Sequence, residues 1–311
     1  MHLADGTAPG PASTGPLASS GIAAGDRADV TLPTLDSHRA SQPMAPRMDI
    51  VAATHPGKER ERNEDQFLVA RLGRWVHIEQ TSVGQPQELT SPQGTLLVVA
   101  DGMGGHGAGD VASAVTLDAF VAHSLMEMPW ILAGTTEGDA LLTADMTRFV
   151  AECQQHLIQV AARKQLPPKL GTTLTAAFVQ ADRMVLAHVG DTRAYYWRAG
   201  QLVKLTRDHT LGAALAEEAK VDPSTVGHKN VLVNAIGGNA DLPKPEMSSV
   251  TLQAGDRILL CSDGLHGSVP DARIAEHLGA AASAGDAVKA LIDEALAAGG
   301  PDNITVMVAF G

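Results

Sequence analysis

Five aspartates stand where apolar, strand-like runs meet turns. Asp65 lies in RERNEDQF with Glu64 beside it, Asp101 ends LLVVA, Asp191 sits in HVGDTR, Asp263 ends RILLCS, and Asp302 lies in GPDNITVMV. Taken singly, an Asp-Gly pair is a turn dipeptide. As a group they pose a harder problem, because carboxylates at the ends of buried strands suffer both desolvation and mutual repulsion. Few basic residues adjoin them. Hard divalent cations such as Mn2+ or Mg2+, which take carboxylate, carbonyl and water oxygens, are the natural partners. Zinc is disfavoured, since no Cys/His ligand spacing occurs. Cys153 and Cys261 are far apart in apolar contexts and read as reduced, buried thiols.

Asp101 also heads the stretch Gly102-x-Gly104-x-x-Gly107, which matches a dinucleotide-binding fingerprint. The residues beyond the glycines rule that reading out. A dinucleotide fold needs a second parallel strand after the first helix, ending on an acid for the ribose. Here the chain is still helical about twenty residues on, at AHSLMEM, and no Lys-Ser or Lys-Thr comes after the glycines as a P-loop requires. The glycines instead serve tight turns and close backbone approach.

The elements that must position these acids are legible from periodicity. MDIVAATHPG and QFLVARL read as strands, RWVHIEQ as a third, and Gly84 to Gly94 as a polar hairpin insertion. TLLVVAD is a continuous apolar run of strand length, expected in a sheet centre and buried on both faces. Helical patterns span Gly109 to Met128 and Asp139 to Lys164. TLTAAFVQA, RMVLAHVG, RAYYWRAG and QLVKLT come next, with breaks too short for crossover helices, which predicts one antiparallel meander. After them stand a helix plus an irregular excursion, the strand DRILLCSDG, helices near Asp271–Leu278 and Gly285–Ala298, and a closing strand NITVMVAF. The last helix carries Val288, Leu291, Ile292, Ala295 and Leu296 on one stripe. Antiparallel strands with long helix pairs point to a layered α+β domain.

Composition narrows the partners. The net charge of −12, from 35 acids against 23 bases, repels a phosphate backbone, so nucleic acid is not expected as a partner. No apolar run approaches the ~20 residues of a membrane span, and the beginning of the chain lacks the features of a secretory signal. The expected location is the cytoplasm and the expected state a monomer. Residues 1–45, rich in Ala, Gly, Ser, Thr and Pro, read as a disordered tail before a single domain over 46–311.

Eight segments, RERNED, VVADGMGGHGAGDVAS, LGTTLTAAFV, HVGDTRAYYW, TRDHT, NVLVNAIGG, LCSDGL and PDNITVMV, together resemble in order the metal-dependent Ser/Thr protein phosphatases of type 2C. The resemblance covers about residues 48–311, and DGMGGH is similar to the bacterial branch. It implies a four-layer α-β-β-α sandwich, two antiparallel sheets flanked by helix pairs, with metals in a cleft at one end. It implies hydrolysis of phosphoserine and phosphothreonine in proteins by a water activated between two Mn2+ or Mg2+ ions, in opposition to a bacterial Ser/Thr kinase.

The resemblance also assigns roles. Asp101 bridges two metals about 4 Å apart. Asp263 and Asp302 complete one metal's protein ligands, the Gly102 carbonyl reaches the other, and Glu64 and Asp65 hold metal-bound waters. Asp191 shares a third, weaker metal with Asp263. Arg60, four residues before Glu64, offers a guanidinium fork to two phosphate oxygens; Arg62 fits that role less well. Animal members carry a histidine, proposed to protonate the leaving oxygen, directly after the Asp-Gly pair; here Met103 stands there, and His106 is a candidate substitute. Thr172 and Thr173 are expected to support the sandwich core, His188 and His209 to pack, and Asp110 to favour a helix N-terminus. Leu211 to Val231 matches the family's variable flap beside the cleft, a segment suited to tuning substrate choice. A non-catalytic regulator on the same fold should have lost ligands, and a metal-dependent nuclease should carry a basic, aromatic-interleaved stretch; neither is seen.

Overall fold

The computed structural model describes residues 48–73, 75–77, 88–90, 94–104, 108–126, 136–167, 169–222, 225–228, 230–238 and 242–311. The expected tail over 1–45, His106 and most of the Gly84–Gly94 insertion lie outside the described residues.

In chain order the chain first forms β1 (Asp49–His55), β2 (Gln66–Leu72), β3 (Trp75–His77), β4 (Glu88–Thr90), β5 (Gly94–Ala100) and β6 (Gly102–Met103). Helices α1 (Gly109–Met126) and α2 (Thr136–Lys164) come after them. Next are β7 (Gly171–Thr172), β8 (Leu174–Gln180), β9 (Arg183–Val189), β10 (Arg193–Arg198), β11 (Gln201–Lys204) and α3 (Leu211–Ala219). The remainder is β12 (Ile236–Gly237), β13 (Glu246–Thr251), β14 (Arg257–Cys261), α4 (Asp263–His266), α5 (Asp271–Ala280), α6 (Ala284–Ala297) and β15 (Ile304–Phe310).

Two five-stranded antiparallel sheets stack face to face, one ordered β1-β15-β14-β10-β11 and the other β13-β9-β8-β5-β2. Side-chain alternation explains the stacking. On β5, Leu97 and Val99 join Ala177, Met184, Leu260 and Met307 in the core between the sheets, while Leu96, Val98 and Ala100 meet Phe120, Phe149 and Val150 of α1 and α2. TLLVVAD is therefore buried on both faces, as its unbroken apolarity requires. On the opposite side, Val288, Leu291 and Ala295 of α6 and Ile274 and Leu278 of α5 pack on Leu259, Val306 and Val308. Three cores between four layers give the expected α-β-β-α sandwich.

The expected single meander does not form. β8 and β9 pair as a hairpin in one sheet, β10 and β11 as a hairpin in the other, and β9 and β10 do not pair. The chain crosses between sheets over Gly190–Thr192, because β9 finds β13 and β10 finds β14 as outer partners. Gly190 makes the corner with φ +111, and a Cβ there would meet the Thr173 side chain at 2.5 Å. The strand β13 and the one-turn helix α4 add to the elements expected from periodicity, and α2 begins at Thr136, before the expected Asp139.

Candidate active site

The sheet ends converge on a cleft of about 580 Å3 lined by Arg60, Glu64, Asp101, Gly102, Asp191, Asp263 and Asp302, together with Met103, Thr173 and Asn303. Seven of the eight candidate residues from the sequence thus share one cavity. The eighth, Asp65, does not line it and is buried behind the wall.

Each acid reaches this place by a different local device. Asp101 comes directly after β5, and its backbone is gripped by a threonine pair. Its N–H donates to Thr173 Oγ1 at 2.9 Å, and its carbonyl accepts from Thr172 Oγ1 at 2.8 Å and from the Thr173 N–H at 2.9 Å. Thr172 and Thr173 therefore do more than fill the core. β6, β7 and β12 extend the grip as a three-stranded sheet beside Asp101. Gly102 donates to Glu64 O at 3.2 Å, and a Cβ there would fall 2.2 Å from Gly109 O, so only glycine fits between the two segments. Asp263 is the first residue of α4 after the cap Ser262. Asp191 sits at the crossing between sheets, its carbonyl accepting from His266 Nε2 at 3.0 Å. Asp302 accepts from the Asn303 N–H at 2.8 Å and pairs with the Arg60 guanidinium at 2.6 Å.

Glu64 lies against the start of α1. Its carboxylate accepts from the Gly109 amide, while burial and Asp110 raise its pKa. Asp110 turns back on its own helix, accepting from Val111 N at 2.7 Å. For Asp65, Oδ2 accepts from Ser262 Oγ at 2.6 Å and Thr305 Oγ1 at 2.7 Å. Its Oδ1 is buried and finds no donor; the neighbouring group is the Asp101 carboxyl, which lends a hydrogen bond only when one of the two is protonated.

The electrostatics arise from this crowding. Burial pushes Asp263 up to about 7, with Asp191, Asp302 and Asp65 adding repulsion. Asp65 rises to about 6, first through burial, and Asp191 to about 6 through burial and the nearby Asp208. Asp101 lies well above the usual carboxylate range, for burial and four surrounding aspartates. Among the described residues no three His, Cys, Asp or Glu side chains close on one point as a ready-made cage. The acids instead surround a cavity in which Arg60, paired with Asp302, offsets only part of their charge. The orphaned Asp65 Oδ1 and four mutually repelling carboxyls are the donor set a hard divalent ion satisfies, so the residues present fit Mn2+ or Mg2+.

Around the acids lies a frame of neutral groups that sequence reasoning missed: Ser262, Thr305, Asn63 and Asn303. Asn63 Nδ2 donates to Thr54 Oγ1 at 2.8 Å, and Thr54 to Thr305 Oγ1 at 2.8 Å, ending on Asp65. The available signal was a polar residue next to some of the strand-end acids, as in Ser262-Asp263 and Asp302-Asn303. His209 and His188 pack as expected, both with pKa lowered by burial, His188 to about 3. His209 Nδ1 accepts from the Gly190 N–H at 3.1 Å and Nε2 meets Glu246 at 3.2 Å, tying the flap root to the Asp191 corner. From the flap side, Asn230 and Leu232 reach the cleft wall. Both cysteine thiols are buried and pushed up, Cys261 to about 12, which leaves no reactive thiolate. No helix among the described residues is long and apolar enough to cross a membrane.

Comparison with known proteins bears on this geometry. Residues 80–298 match the family described as protein phosphatase 2C. The chain is 38% identical over 220 residues to the serine/threonine protein phosphatase PstP of Mycobacterium tuberculosis, a match covering 69% of this chain and 40% of that protein's length. It is 34% identical to the serine/threonine phosphatase stp of Listeria innocua, covering 68% of this chain and 83% of the relative. Among solved structures, the catalytic domain of PstP in complex with two manganese ions superposes with a TM-score of 0.63 at 32% identity, covering 85% of this chain and 97% of that one.

Proposed function

Because this chain belongs to the protein phosphatase 2C family, we propose that it hydrolyses phosphoserine and phosphothreonine in proteins with a pair of divalent ions held in the cleft described above. The observation that carries the reading is the set of carboxyls around one cavity, with Asp101, Asp191 and Asp263 raised by burial and by neighbouring acids, and a guanidinium beside them. When bound, Mn2+ or Mg2+ supplies Lewis acidity and a nucleophile at neutral pH.

The protein's own groups then have distinct tasks. Asp101, Asp263 and Asp302 would hold the ions with the Gly102 carbonyl, and Glu64 and Asp65 would hold water beside them, Asp65 from behind the cleft wall. Asp191 and Asp263 together offer a weaker, third position. The Arg60 guanidinium has five N–H donors; one reaches Asp302, and those remaining bind phosphate oxygens and orient phosphorus for in-line attack. Thr172 and Thr173 hold the Asp101 main chain still during the reaction. Met103 has no proton to give the leaving oxygen, and solvent supplies it. The substrate implies a Ser/Thr kinase that makes it, and Asn230 and Leu232 of the flap side meet the protein around the phosphoresidue. The domain over 46–311 acts as a monomer without the preceding tail.

The test is direct. Purified protein with Mn2+ should release phosphate from a phosphothreonine peptide, and a chelator should abolish release. Absence of release with either Mn2+ or Mg2+ overturns the reading. A chain lacking residues 1–45 should keep its rate, and a large loss would move the domain boundary.

A further inference from the structure

Asn303 stands next to Asp302 and is buried, and its three side-chain hydrogen bonds are directed at a remote segment. Nδ2 donates to Pro56 O at 2.9 Å and to Arg62 O at 2.8 Å, and Oδ1 accepts from the Glu64 N–H at 2.8 Å. Its own N–H donates to Asp302 Oδ1 at 2.8 Å. The segment it grips runs between β1 and β2, has no helix or strand of its own, and carries Arg60. One amide thus stands between the guanidinium and Asp302 from behind, while their direct ion pair joins them from the front.

We propose that Asn303 is a positioning residue that sets Arg60 against Asp302, so that phosphate affinity depends on its three side-chain hydrogen bonds. The inference rests on the reading of Arg60 as the phosphate-binding group. The residue type is demanding: two carbonyls need donors and one N–H needs an acceptor, within the reach of a short side chain. Asn303→Asp keeps the acceptor but sets oxygen against two carbonyl oxygens, and Asn303→Ala removes all three bonds.

Wild type, Asn303→Asp and Asn303→Ala are compared with a phosphothreonine peptide and Mn2+. The proposal expects KM and the inhibition constant of inorganic phosphate to rise together by about tenfold, with kcat changed less. A merely structural role lowers the folded fraction, and with it kcat, leaving KM in place. A second arm needs no activity. In chelator, trypsin should cut after Arg60 or Arg62 about tenfold faster in Asn303→Ala than in wild type, with cuts elsewhere unchanged. A third arm needs no variant: the Glu64 amide of wild type should be protected from hydrogen exchange. A folded variant with unaltered KM and cleavage, or an unprotected Glu64 amide, overturns the proposal. If wild type releases no phosphate the functional reading fails, and the proteolysis and exchange arms still decide whether the clamp exists.

Discussion

The Arg60 guanidinium sits 2.6 Å from the Asp302 carboxylate, joining the turn after β1 to the residue pair before β15. Hydrogen bonding to Asp302 raises the guanidinium pKa, opposed by partial burial. Both groups remain open to solvent, at 54% and 32% side-chain exposure, so the pair is screened and adds about 1 kcal/mol or less to stability. Arg60→Ala should therefore leave the melting temperature nearly unchanged while KM for a phosphopeptide rises about tenfold or more. Steady-state kinetics check this, and an unaltered KM removes Arg60 from the phosphate site.

Asp263 and Asp101 predict opposite effects on activity and stability. Asp263→Asn and Asp101→Asn should each lower kcat by at least ~10²-fold, on the scale of losing a preorganised electrostatic group at a reacting centre. The same changes remove a buried charge that its neighbours repel. In chelator, each variant should be more stable than wild type, by on the order of 1–3 kcal/mol. Denaturant melts with EDTA measure it; a destabilised, inactive variant would point to a structural role instead.

Metal should stabilise the fold, and more so as pH rises. Folded-state values near 6 for Asp65 and Asp191 and near 7 for Asp263 exceed the unfolded value of 3.8. The metal-free native state therefore binds more protons than the unfolded chain between about pH 4 and 7, and loses stability as pH rises through that window. Buried His188 and His266, lowered to about 3 from 6.5, act the other way: their stability is present above 6.5 and lost as pH falls. Divalent ions cancel only the first effect. At a hundredfold excess over Kd, Mn2+ should add ~2.7 kcal/mol, roughly 5–10 °C in melting temperature, at pH 8. The gain should shrink towards pH 5 as protons compete. A shift equal at both pH values argues against carboxyl ligation.

Thr173→Val removes the acceptor for the Asp101 N–H without changing side-chain volume much. A buried donor left unpaired costs about 1–3 kcal/mol. The variant should be less stable by that amount and lose kcat more than KM, since it loosens Asp101 and leaves Arg60 alone. Thermal melts with parallel kinetics separate this from the Arg60 phenotype.

Much of the molecule was readable along the chain. Unbroken apolarity placed β5 between two layers, the stripe on α6 chose its buried face, and strand-end acids marked Asp101, Asp263 and Asp302 as companions. These features are local: side-chain alternation with period 2 or 3.6 and a polar residue at the end of an apolar run are written in a few consecutive residues. The order of the eight segments pointed to the family without any coordinates.

Tertiary structure alone decided which strands became neighbours. The hairpin β8–β9 and the hairpin β10–β11 look like one meander in sequence, yet β13 and β14 compete for their edges and split them between sheets, which turns Asp191 into the corner. The same holds for Asp65 retreating behind the cleft wall, for the threonine grip on Asp101, and for Asn303 bonding residues 239 to 247 positions away. Neutral hydroxyls and amides carry no periodicity and are common everywhere, so their partners become visible only when burial forces each polar atom to find one.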